Sequence, residues 1–465
     1  MTDFYANKRC LVLGLGESGL AAAAWLARNG ATLRVADSRS NPPGLDALRA
    51  QAPDAEIICA PFTDSLLDGI EQLAISPGLD PREPVVQAAR QRGIAITGEI
   101  ELFAQALIQL GWRAACKVIA ITGTNGKTTT TALTGALCRT AGLQTVVAGN
   151  ISPAALSELM RCLDEGVRPD VWVLELSSFQ LETTRSLAAE AATILNITDD
   201  HLDRHGSMAA YAEAKAAIFA GQGVQILNRD DALVRGMGIA GRVVRDFGLQ
   251  KMAGETHYGL GEHAGTTWLM RGEEPLLPQA ELQLAGSHNA ANALAALALC
   301  EAIGLPRVAL LAGLRAFRGL PHRVELVARR EDDVRFYDDS KGTNVGATLA
   351  ALQGMGRKVV LIAGGDGKGQ DFRPLSPALR EHARAVVLIG RDAQRLQQET
   401  ADCGVPMEHA VDMDAAVFAA NALAQTGDVV LLSPACASLD MFRNYAHRAE
   451  VFCNAVKVLP GVISA

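Results

Sequence analysis

The chain has 465 residues, of which 49% are hydrophobic, so it is too long for one ordinary core and apolar enough for two or three domains. Its formal net charge of -8 argues against binding to nucleic acid or to an anionic membrane surface, because both need a basic face. The nine cysteines include no C-x-x-C pair, which indicates reduced thiols and a cytoplasmic location. The most apolar stretch, 290–314, is interrupted by Glu301, Gly304, Pro306 and Arg307 and predicts no membrane-spanning helix.

Short runs rich in Val, Ile and Leu alternate with Ala-rich stretches along the chain, which is typical of parallel βαβ units and predicts an α/β fold. The predicted strands form three groups: 10–13, 32–36 and 73–75; then 117–122, 171–174, 192–196 and 224–227; then 334–337, 358–363, 385–389 and 428–432. Glycine pairs and short alternation at 241–282 predict a β-rich insertion or an antiparallel edge. Turn-rich segments divide the chain into predicted domains 1–98, 99–319 and 320–465.

A glycine loop lies between the strand 117–122 and a predicted helix at 129–138. This order of strand, loop and helix directs backbone N–H groups and the positive end of a helix at a phosphate. Lys127 is suited to bridging the terminal phosphates of a nucleotide, and Thr128 offers a hydroxyl to Mg²⁺. Only two residues separate the loop glycines, so the loop is a shortened variant of the usual four-residue spacing. The predicted ATP-binding residues of this loop are Gly123, Thr124, Asn125, Gly126, Lys127, Thr128 and Thr129.

Two further side chains follow predicted strands of the same sheet. Glu175 ends the run 171–174, and His201 comes shortly after the run 192–196. Ligands of doubly wound sheets bind beyond the carboxyl ends of the strands, so we expect both residues near the phosphate loop. Mg²⁺ prefers oxygen ligands, so Glu175 is the stronger metal candidate, and a capping or core role is the alternative for His201.

A second glycine motif, Gly14-Leu-Gly-Glu-Ser-Gly19, follows the first predicted strand, and Asp37 ends the next one. Alone, this pattern predicts a dinucleotide site and keeps a nicotinamide-dependent UDP-sugar oxidoreductase as an alternative. The same turn is also suited to the diphosphate of a nucleotide sugar.

Polar loops follow three predicted strands in the last third of the chain. They supply cations and hydroxyls, such as Lys341, Lys368, Thr343 and Ser438, that suit a ligand with more than one carboxylate. The alternative for each lysine is an ordinary solvated surface charge.

Taken together, these motifs resemble the Mur ligase family over nearly the whole chain. The segments that carry the resemblance are 14–19, 76–78, 98–103, 123–128, 174–180, 288–292, 319–323, 339–344 and 433–439. The resemblance implies a Rossmann-like N-terminal domain that holds UDP, a central ATPase domain with a parallel sheet, and a Rossmann-like C-terminal domain. It also implies that ATP converts the carboxylate of UDP-N-acetylmuramoyl-L-alanine into an acyl phosphate, which D-glutamate attacks, giving ADP and phosphate in peptidoglycan precursor synthesis.

The resemblance implies a role for each matching residue. Two Mg²⁺ ions are expected, the first at Thr128 and Glu175 and the second at His201 and a carbamylated Lys215. Lys127, His201 and Lys215 are the implied catalytic residues. The further ATP contacts are Asn292, Arg323 and Asp339. The UDP-sugar contacts are Glu17, Ser18, Asp37, Ser38, Arg39, Gly78, Asn150 and His201. The D-glutamate contacts are Thr343, Lys368, Ser438, Leu439 and Tyr445.

The chain departs from the family pattern at three places. Ser152 replaces a usual glycine, Tyr445 replaces a common Phe, and the spacing from His201 to Lys215 is one residue shorter than expected. None of these departures removes an implied catalytic group. Another Mur-type or folylpolyglutamate-type amide ligase is an alternative beside the oxidoreductase. We expect a monomer.

Overall fold

The strands of the N-terminal part form a five-stranded parallel sheet in the computed structural model, which describes residues 3–464. Its strand order, β3-β2-β1-β4-β5, is that of a nucleotide-binding Rossmann sheet. The strands are β1 (Arg9–Leu13), β2 (Thr32–Asp37), β3 (Glu56–Cys59), β4 (Gln72–Ile75) and β5 (Ala95–Thr97). The helices are α1 (Glu17–Arg28), α2 (Leu45–Gln51) and α3 (Pro84–Gln91), with a short 3₁₀ turn at Asp64–Leu67.

The middle of the chain forms a nine-stranded sheet in the order β14-β13-β12-β11-β10-β9-β6-β8-β7. Its strands are β6 (Lys117–Thr122), β7 (Thr145–Gly149), β8 (Val171–Glu175), β9 (Ala191–Ile194), β10 (Val224–Asn228), β11 (Val244–Phe247), β12 (His257–His263), β13 (Thr266–Arg271) and β14 (Glu274–Pro278). Strands from β7 to β12 pair in parallel, whereas β12, β13 and β14 pair antiparallel. Of the two alternatives predicted for 241–282, a β-rich insertion or an antiparallel edge, the structure has the antiparallel edge.

Helices cover this middle sheet. They are α4 (Glu99–Gln109), α5 (Lys127–Thr140), α6 (Ala155–Glu165), α7 (Ser178–Leu181), α8 (Leu202–His205), α9 (Met208–Ala216), α10 (Ala232–Arg235), α11 (Ser287–Ala302) and α12 (Arg307–Ala316), with 3₁₀ turns at Ala217–Phe219 and Gln279–Glu281. The segment 290–314 spans parts of α11 and α12, which are separate helices. Among residues 3–464, no helix is long and apolar enough to cross a membrane.

The C-terminal part forms a seven-stranded sheet in the order β19-β18-β17-β20-β16-β15-β21. Its strands are β15 (Glu325–Arg330), β16 (Arg335–Asp338), β17 (Val359–Gly364), β18 (Ala383–Ile389), β19 (Met407–His409), β20 (Val429–Leu432) and β21 (Val462–Ser464). Its helices are α13 (Val345–Gly354), α14 (Leu375–His382), α15 (Ala393–Glu399), α16 (Met413–Leu423) and α17 (Tyr445–Lys457), with a 3₁₀ turn at Ala401–Cys403. The predicted α/β fold with parallel-dominated sheets is confirmed.

Helix α4 joins the first two sheets into one packed body. Its Phe103 lies edge-to-face on Trp172 of the middle sheet, with ring centroids 4.8 Å apart, and Trp25 of α1 is buried in the same apolar cluster. Two carboxylates of α4 are also buried. Glu101 accepts backbone N–H bonds from Arg185 and Ser186, and Glu99 accepts one from Leu156 at 2.6 Å. These side chains hold α4 against the segments that carry Leu156, Arg185 and Ser186. They thereby help to set the relative position of the first two sheets, on either side of the cleft.

Burial raises the pKa of Glu99 from about 4.5 to about 7, so its native state retains a proton that the unfolded chain has already lost between these values. The contribution of Glu99 to stability is therefore greatest below about pH 4.5 and is lost as the pH rises through about 7. In the parent protein, the free energy of unfolding in urea should be lower at pH 8 than at pH 5. Glu99→Gln should make that difference smaller by on the order of 3 kcal/mol, because the amide does not titrate. The exposed Glu381→Gln is the control. An equal pH dependence in Glu99→Gln and the parent protein would contradict the prediction.

Candidate active site

The phosphate loop connects β6 to α5, and its conformation depends on Gly126. This residue has φ +82° immediately before α5, and a Cβ there would lie 2.6 Å from Oδ1 of Asn292. Only glycine meets both conditions without strain. The first turn of α5 therefore starts directly beside the loop, where its N–H groups and the helix dipole favour an anion.

Lys127 folds back over the loop. Its Nζ donates to the carbonyl oxygens of Gly123 at 2.9 Å and Thr124 at 2.8 Å. Removal from water lowers the pKa of Lys127, and the nearby Glu175 carboxylate partly offsets that effect. The cation is thus held within the loop, where a phosphate on the α5 side would meet it.

Asn125 is held from two domains. Its backbone N–H donates to Oδ1 of Asn196 at 2.8 Å, and Nδ2 of Asn196 donates back to its carbonyl at 3.1 Å. From the C-terminal domain, Nδ2 of Asn344 donates to Oδ1 of Asn125 at 3.2 Å. Arg323 makes a second link across the same gap, because its Nη2 donates to Oγ1 of Thr128 at 2.7 Å.

A cavity of about 230 Å³ opens between the phosphate loop and the C-terminal domain. Six of the predicted ATP-binding residues line it: Asn125, Gly126, Thr129, Asn292, Arg323 and Asp339. Its other walls include Phe247, Leu249 and His288, which supply apolar and aromatic surface. A pocket that combines an apolar wall with a phosphate loop has the properties of a nucleotide site. Thr124 lies behind it, where its Oγ1 accepts the backbone N–H of Thr198 at 3.0 Å.

Glu175 ends β8 on the same sheet edge as the loop, because β8 pairs in parallel with β6. The side chain is buried, and its Oε1 accepts Nδ2 of Asn150 at 2.7 Å. Within residues 3–464, its Oε2 has no hydrogen-bond partner. A buried carboxylate oxygen without a partner is costly unless a cation occupies it, so this oxygen fits a Mg²⁺ ligand.

Lys215 is almost completely buried beneath the loop. Its Nζ donates to the carbonyl oxygen of Gly123 at 2.9 Å and lies 4.5 Å from the ring centre of Tyr211. Burial holds the pKa of Lys215 well below its usual range, and the neighbouring Lys127 lowers it further. The geometry therefore favours the uncharged amine that carbamylation requires.

His201 lies beside this group on the exposed side. It adopts φ +54°, its ring centre lies 4.8 Å from that of Phe179 with the two rings tilted by 59°, and its Nε2 lies 3.6 Å from Oδ2 of Asp200. Burial lowers the pKa of His201, and Asp200 partly offsets that effect. The alternative of a helix-capping role is not supported within the described chain, because the side chain of His201 makes no cap bond to α8.

The first glycine motif forms the turn between β1 and α1. A Cβ at Gly19 would lie 1.9 Å from the carbonyl oxygen of Gly14, so the turn excludes any other residue there. Asp37 accepts the backbone N–H of Leu15 at 2.7 Å, and two bonds from Arg39 hold the pKa of Asp37 down at about 2. Of the other predicted UDP contacts, Ser18 is half-buried and Ser38 and Gly78 are exposed.

Glu17, also predicted to contact the UDP-sugar, points towards the middle domain. Its Oε1 accepts the hydroxyl of Ser152 at 2.6 Å and the N–H of Ala154 at 3.1 Å. Asn150 lies in the same turn. The residues predicted for the UDP-sugar therefore come from both sides of the cleft between the first two sheets.

The predicted D-glutamate contacts come from loops at the carboxyl ends of the C-terminal sheet. Ser438 is buried, Lys368 and Leu439 are exposed, Thr343 is half-buried, and Tyr445 begins α17. Asp339 lies at the base of these loops, where Oδ2 accepts the hydroxyl of Ser433 at 2.7 Å and burial raises its pKa to about 7.

A buried arginine that sequence reasoning missed ties these loops together. Arg448 donates to the carbonyl of Ser340 at 2.8 Å, to its Oγ at 3.0 Å, and to the carbonyl of Cys436 at 3.1 Å. Burial lowers the pKa of Arg448 to about 10. Helical periodicity offers a signal, because Arg448 shares the face of α17 that buries Ala449, Phe452 and Val456.

Family comparisons extend along most of the chain. The N-terminal domain model of MurD-like Mur ligases matches residues 8–98, the Mur ligase middle domain matches 121–300, and the glutamate ligase domain of Mur ligases matches 322–436. A protein of Aromatoleum aromaticum named UDP-N-acetylmuramoylalanine--D-glutamate ligase is 63% identical over 98% of both chains. A protein of the same name from Ralstonia nicotianae is 56% identical over 98% of this chain and 97% of its own.

The chain belongs to the Mur ligase family. Two solved structures share its fold: UDP-N-acetylmuramate-alanine ligase MurC of Thermotoga maritima and MurF of Acinetobacter baumannii, each with a TM-score of 0.58. The match to MurC has 20% sequence identity and includes 97% of this chain and 99% of MurC. The match to MurF has 18% identity and includes 98% of this chain and 92% of MurF. The predicted family is confirmed, and the oxidoreductase alternative is not favoured.

In this Mur ligase, the buried amine of Lys215 should cost stability. Lys215→Met keeps the length of the side chain and removes the polar group, while Gly123 retains its bond from Lys127. We expect the free energy of unfolding to rise by about 1–4 kcal/mol at pH 7. Because the native pKa of Lys215 lies below its unfolded value, the stability of the parent protein rises with pH through that window. The gain from Lys215→Met should therefore shrink between pH 7 and pH 10 in calorimetry. A loss of stability, or a gain that grows with pH, would contradict this.

Proposed function

We propose that the protein joins D-glutamate to UDP-N-acetylmuramoyl-L-alanine with consumption of ATP, in peptidoglycan precursor synthesis. The observation that carries the proposal is the convergence of buried Glu175, buried Lys215 and the linking Arg323 on the phosphate loop, at one edge of the middle sheet. The names of relatives at 55–63% identity support the same reaction. Residues 1–98 would hold the UDP moiety, 99–319 ATP, and 320–465 the incoming amino acid.

The reaction explains why a phosphate loop is needed. An amine does not displace the oxygen of a carboxylate, so that oxygen must first become part of a phosphate leaving group. Lys127, at 2.8–2.9 Å from the loop carbonyls, would neutralise charge on the transferring phosphoryl group. Arg323 would add a second cation, because it already reaches the hydroxyl of Thr128.

Two Mg²⁺ ions would be held at this edge. Thr128 and Glu175 would hold the first, and the unpartnered Oε2 of Glu175 supports that assignment. His201 and a carbamate on Lys215 would hold the second, which is consistent with the lowered pKa of Lys215. When bound, Mg²⁺ supplies positive charge that offsets the charge on the phosphate oxygens.

The acceptor site would recognise an amino acid with two carboxylates. Lys368 supplies a cation, and Thr343 and Ser438 supply hydroxyls; each follows a different strand of the C-terminal sheet. Arg448 would fix these loops from behind, since it binds the carbonyls of Ser340 and Cys436.

We further propose a cytoplasmic location. The nine cysteines are free thiols, and seven of them are buried.

Phosphate release tests this function. With the purified protein, MgATP and UDP-N-acetylmuramoyl-L-alanine, we expect release only when D-glutamate is added, and at least about 10-fold less with L-glutamate. Lys127→Ala is the matched variant and should lower kcat on the order of 100-fold or more, because the phosphoryl group loses its cation. Equal release without an amino acid, or nicotinamide turnover without ATP consumption, would refute the ligase.

The carbamate on Lys215 has its own test. Lys215→Ala should lose on the order of 100-fold in kcat, and added short-chain carboxylate such as propionate should restore on the order of 10-fold. Because Lys215 is buried, its truncation to Ala leaves a space in which the carboxylate can take the place of the carbamate. Rescue by propylamine but not by propionate would show that the free amine is the active form.

A further inference from the structure

Glu17 connects two domains at the UDP-sugar cleft. It is the first residue of α1, directly after the glycine turn of the N-terminal domain. Its Oε1 accepts the hydroxyl of Ser152 at 2.6 Å and the N–H of Ala154 at 3.1 Å, and both partners belong to the middle domain. One carboxylate oxygen thus holds two donors of a turn in the neighbouring domain.

Ser152 occupies a position that suits glycine better. Its φ of +59° lies in the left-handed region that side chains with a Cβ disfavour. The hydroxyl that glycine would lack is the group bound to Glu17. A non-glycine residue held in such a conformation suggests a functional role for its side chain, here the hydroxyl of Ser152.

The turn is fixed at its other end as well. Nδ2 of Asn150 donates to Oε1 of Glu175 at 2.7 Å, and the N–H of Asn150 donates to the carbonyl of Glu175 at 2.8 Å. Glu99 accepts the N–H of Leu156 in the first turn of α6. The turn 149–154 therefore links the edge that carries Glu175 to the glycine turn that follows β1.

We propose that Glu17 is a positioning residue for the UDP-sugar. Its carboxylate holds the turn 149–154 against the glycine turn, so both walls of the cleft are in place before the nucleotide sugar enters. This inference rests on the proposed function for its substrate. It differs from the direct contact that the family resemblance implies for Glu17, because a carboxylate facing a diphosphate would repel it.

The test compares variants at both ends of the bond in the full-length enzyme. Glu17→Ala should raise KM for UDP-N-acetylmuramoyl-L-alanine, and its Kd measured by calorimetry without ATP, about 3- to 10-fold, while kcat stays within about 2-fold. Glu17→Gln keeps an acceptor oxygen and should restore most of the affinity. Glu56→Ala is the matched control, because that exposed carboxylate pairs at 2.7 Å with Arg34 inside the N-terminal sheet.

Ser152 variants separate the hydroxyl from the backbone strain. Ser152→Ala removes the hydroxyl and keeps the strained φ, whereas Ser152→Gly removes both and should therefore be more stable against heat than Ser152→Ala. Both should raise KM less than Glu17→Ala, because the N–H of Ala154 remains bound. In a Glu17→Ala background, Ser152→Ala should have no further effect, since its partner is already absent.

Hydrogen exchange gives a readout that does not depend on turnover. In Glu17→Ala the amide of Ala154 should exchange faster, while that of Asn150, which binds the Glu175 carbonyl, should not. Unchanged exchange together with unchanged Kd would overturn the inference. So would a Glu17→Ala variant that loses binding entirely while both Ser152 variants bind like the parent protein, because Glu17 would then contact the ligand directly and not through the turn. A parent enzyme that binds the UDP-sugar but releases no phosphate with D-glutamate would overturn the proposed function instead.

Discussion

Two lysines share one carbonyl oxygen at the centre of this molecule. Nζ of Lys127 and Nζ of Lys215 each lie 2.9 Å from the carbonyl oxygen of Gly123. Two ammonium groups this close, and shielded from water, repel each other, so one of them is driven towards its neutral form. The more deeply buried Lys215 is the one whose pKa falls furthest. The positive potential of this arrangement favours a negatively charged group at the loop, such as a phosphate, a carboxylate or a carbamate.

The parallel sheet brings the other charged groups to that point. Strands β8, β6 and β9 are neighbours, so the residues that follow them lie on one edge. Glu175 arrives from β8, the phosphate loop from β6, and Asn196 from the segment after β9. The C-terminal sheet contributes through Arg323 and Asn344, both of which bond to the loop. The site therefore depends on strand order within one sheet and on contact between two domains.

The sequence predicted the parts of this structure that follow from local pattern. Each predicted strand lies in an observed strand to within two residues at its ends, because buried apolar runs carry a strong signal. Strands such as β3, β7 and β19 were missed; they lie at or near sheet edges, where burial is partial and alternation is weak. Glu175 was found because it ends a strand. Arg448 was missed because it acts through hydrogen bonds to Ser340, which is 108 residues away in the sequence.

Pairings between domains were beyond the reach of sequence reasoning for the same reason. Nothing local in Gly-Glu-Ser-Gly indicates that Glu17 meets Ser152, which lies 135 residues away. Family resemblance assigned Glu17 to the UDP-sugar and marked Ser152 only as a departure from a usual glycine. It could not say that their side chains bind each other.

The bond between Asn344 and Asn125 has a thermodynamic consequence. Asn344 caps α13 through Oδ1, which accepts the N–H of Ala347 at 2.8 Å, so its Nδ2 is left to donate to the phosphate loop. If a ligand of the C-terminal loops and a ligand of the phosphate loop both bind more tightly when this bond is made, each must raise the affinity for the other by the same factor. Each substrate would then act as an effector of the other, and the coupling would pass through the side-chain amides of Asn344 and Asn125.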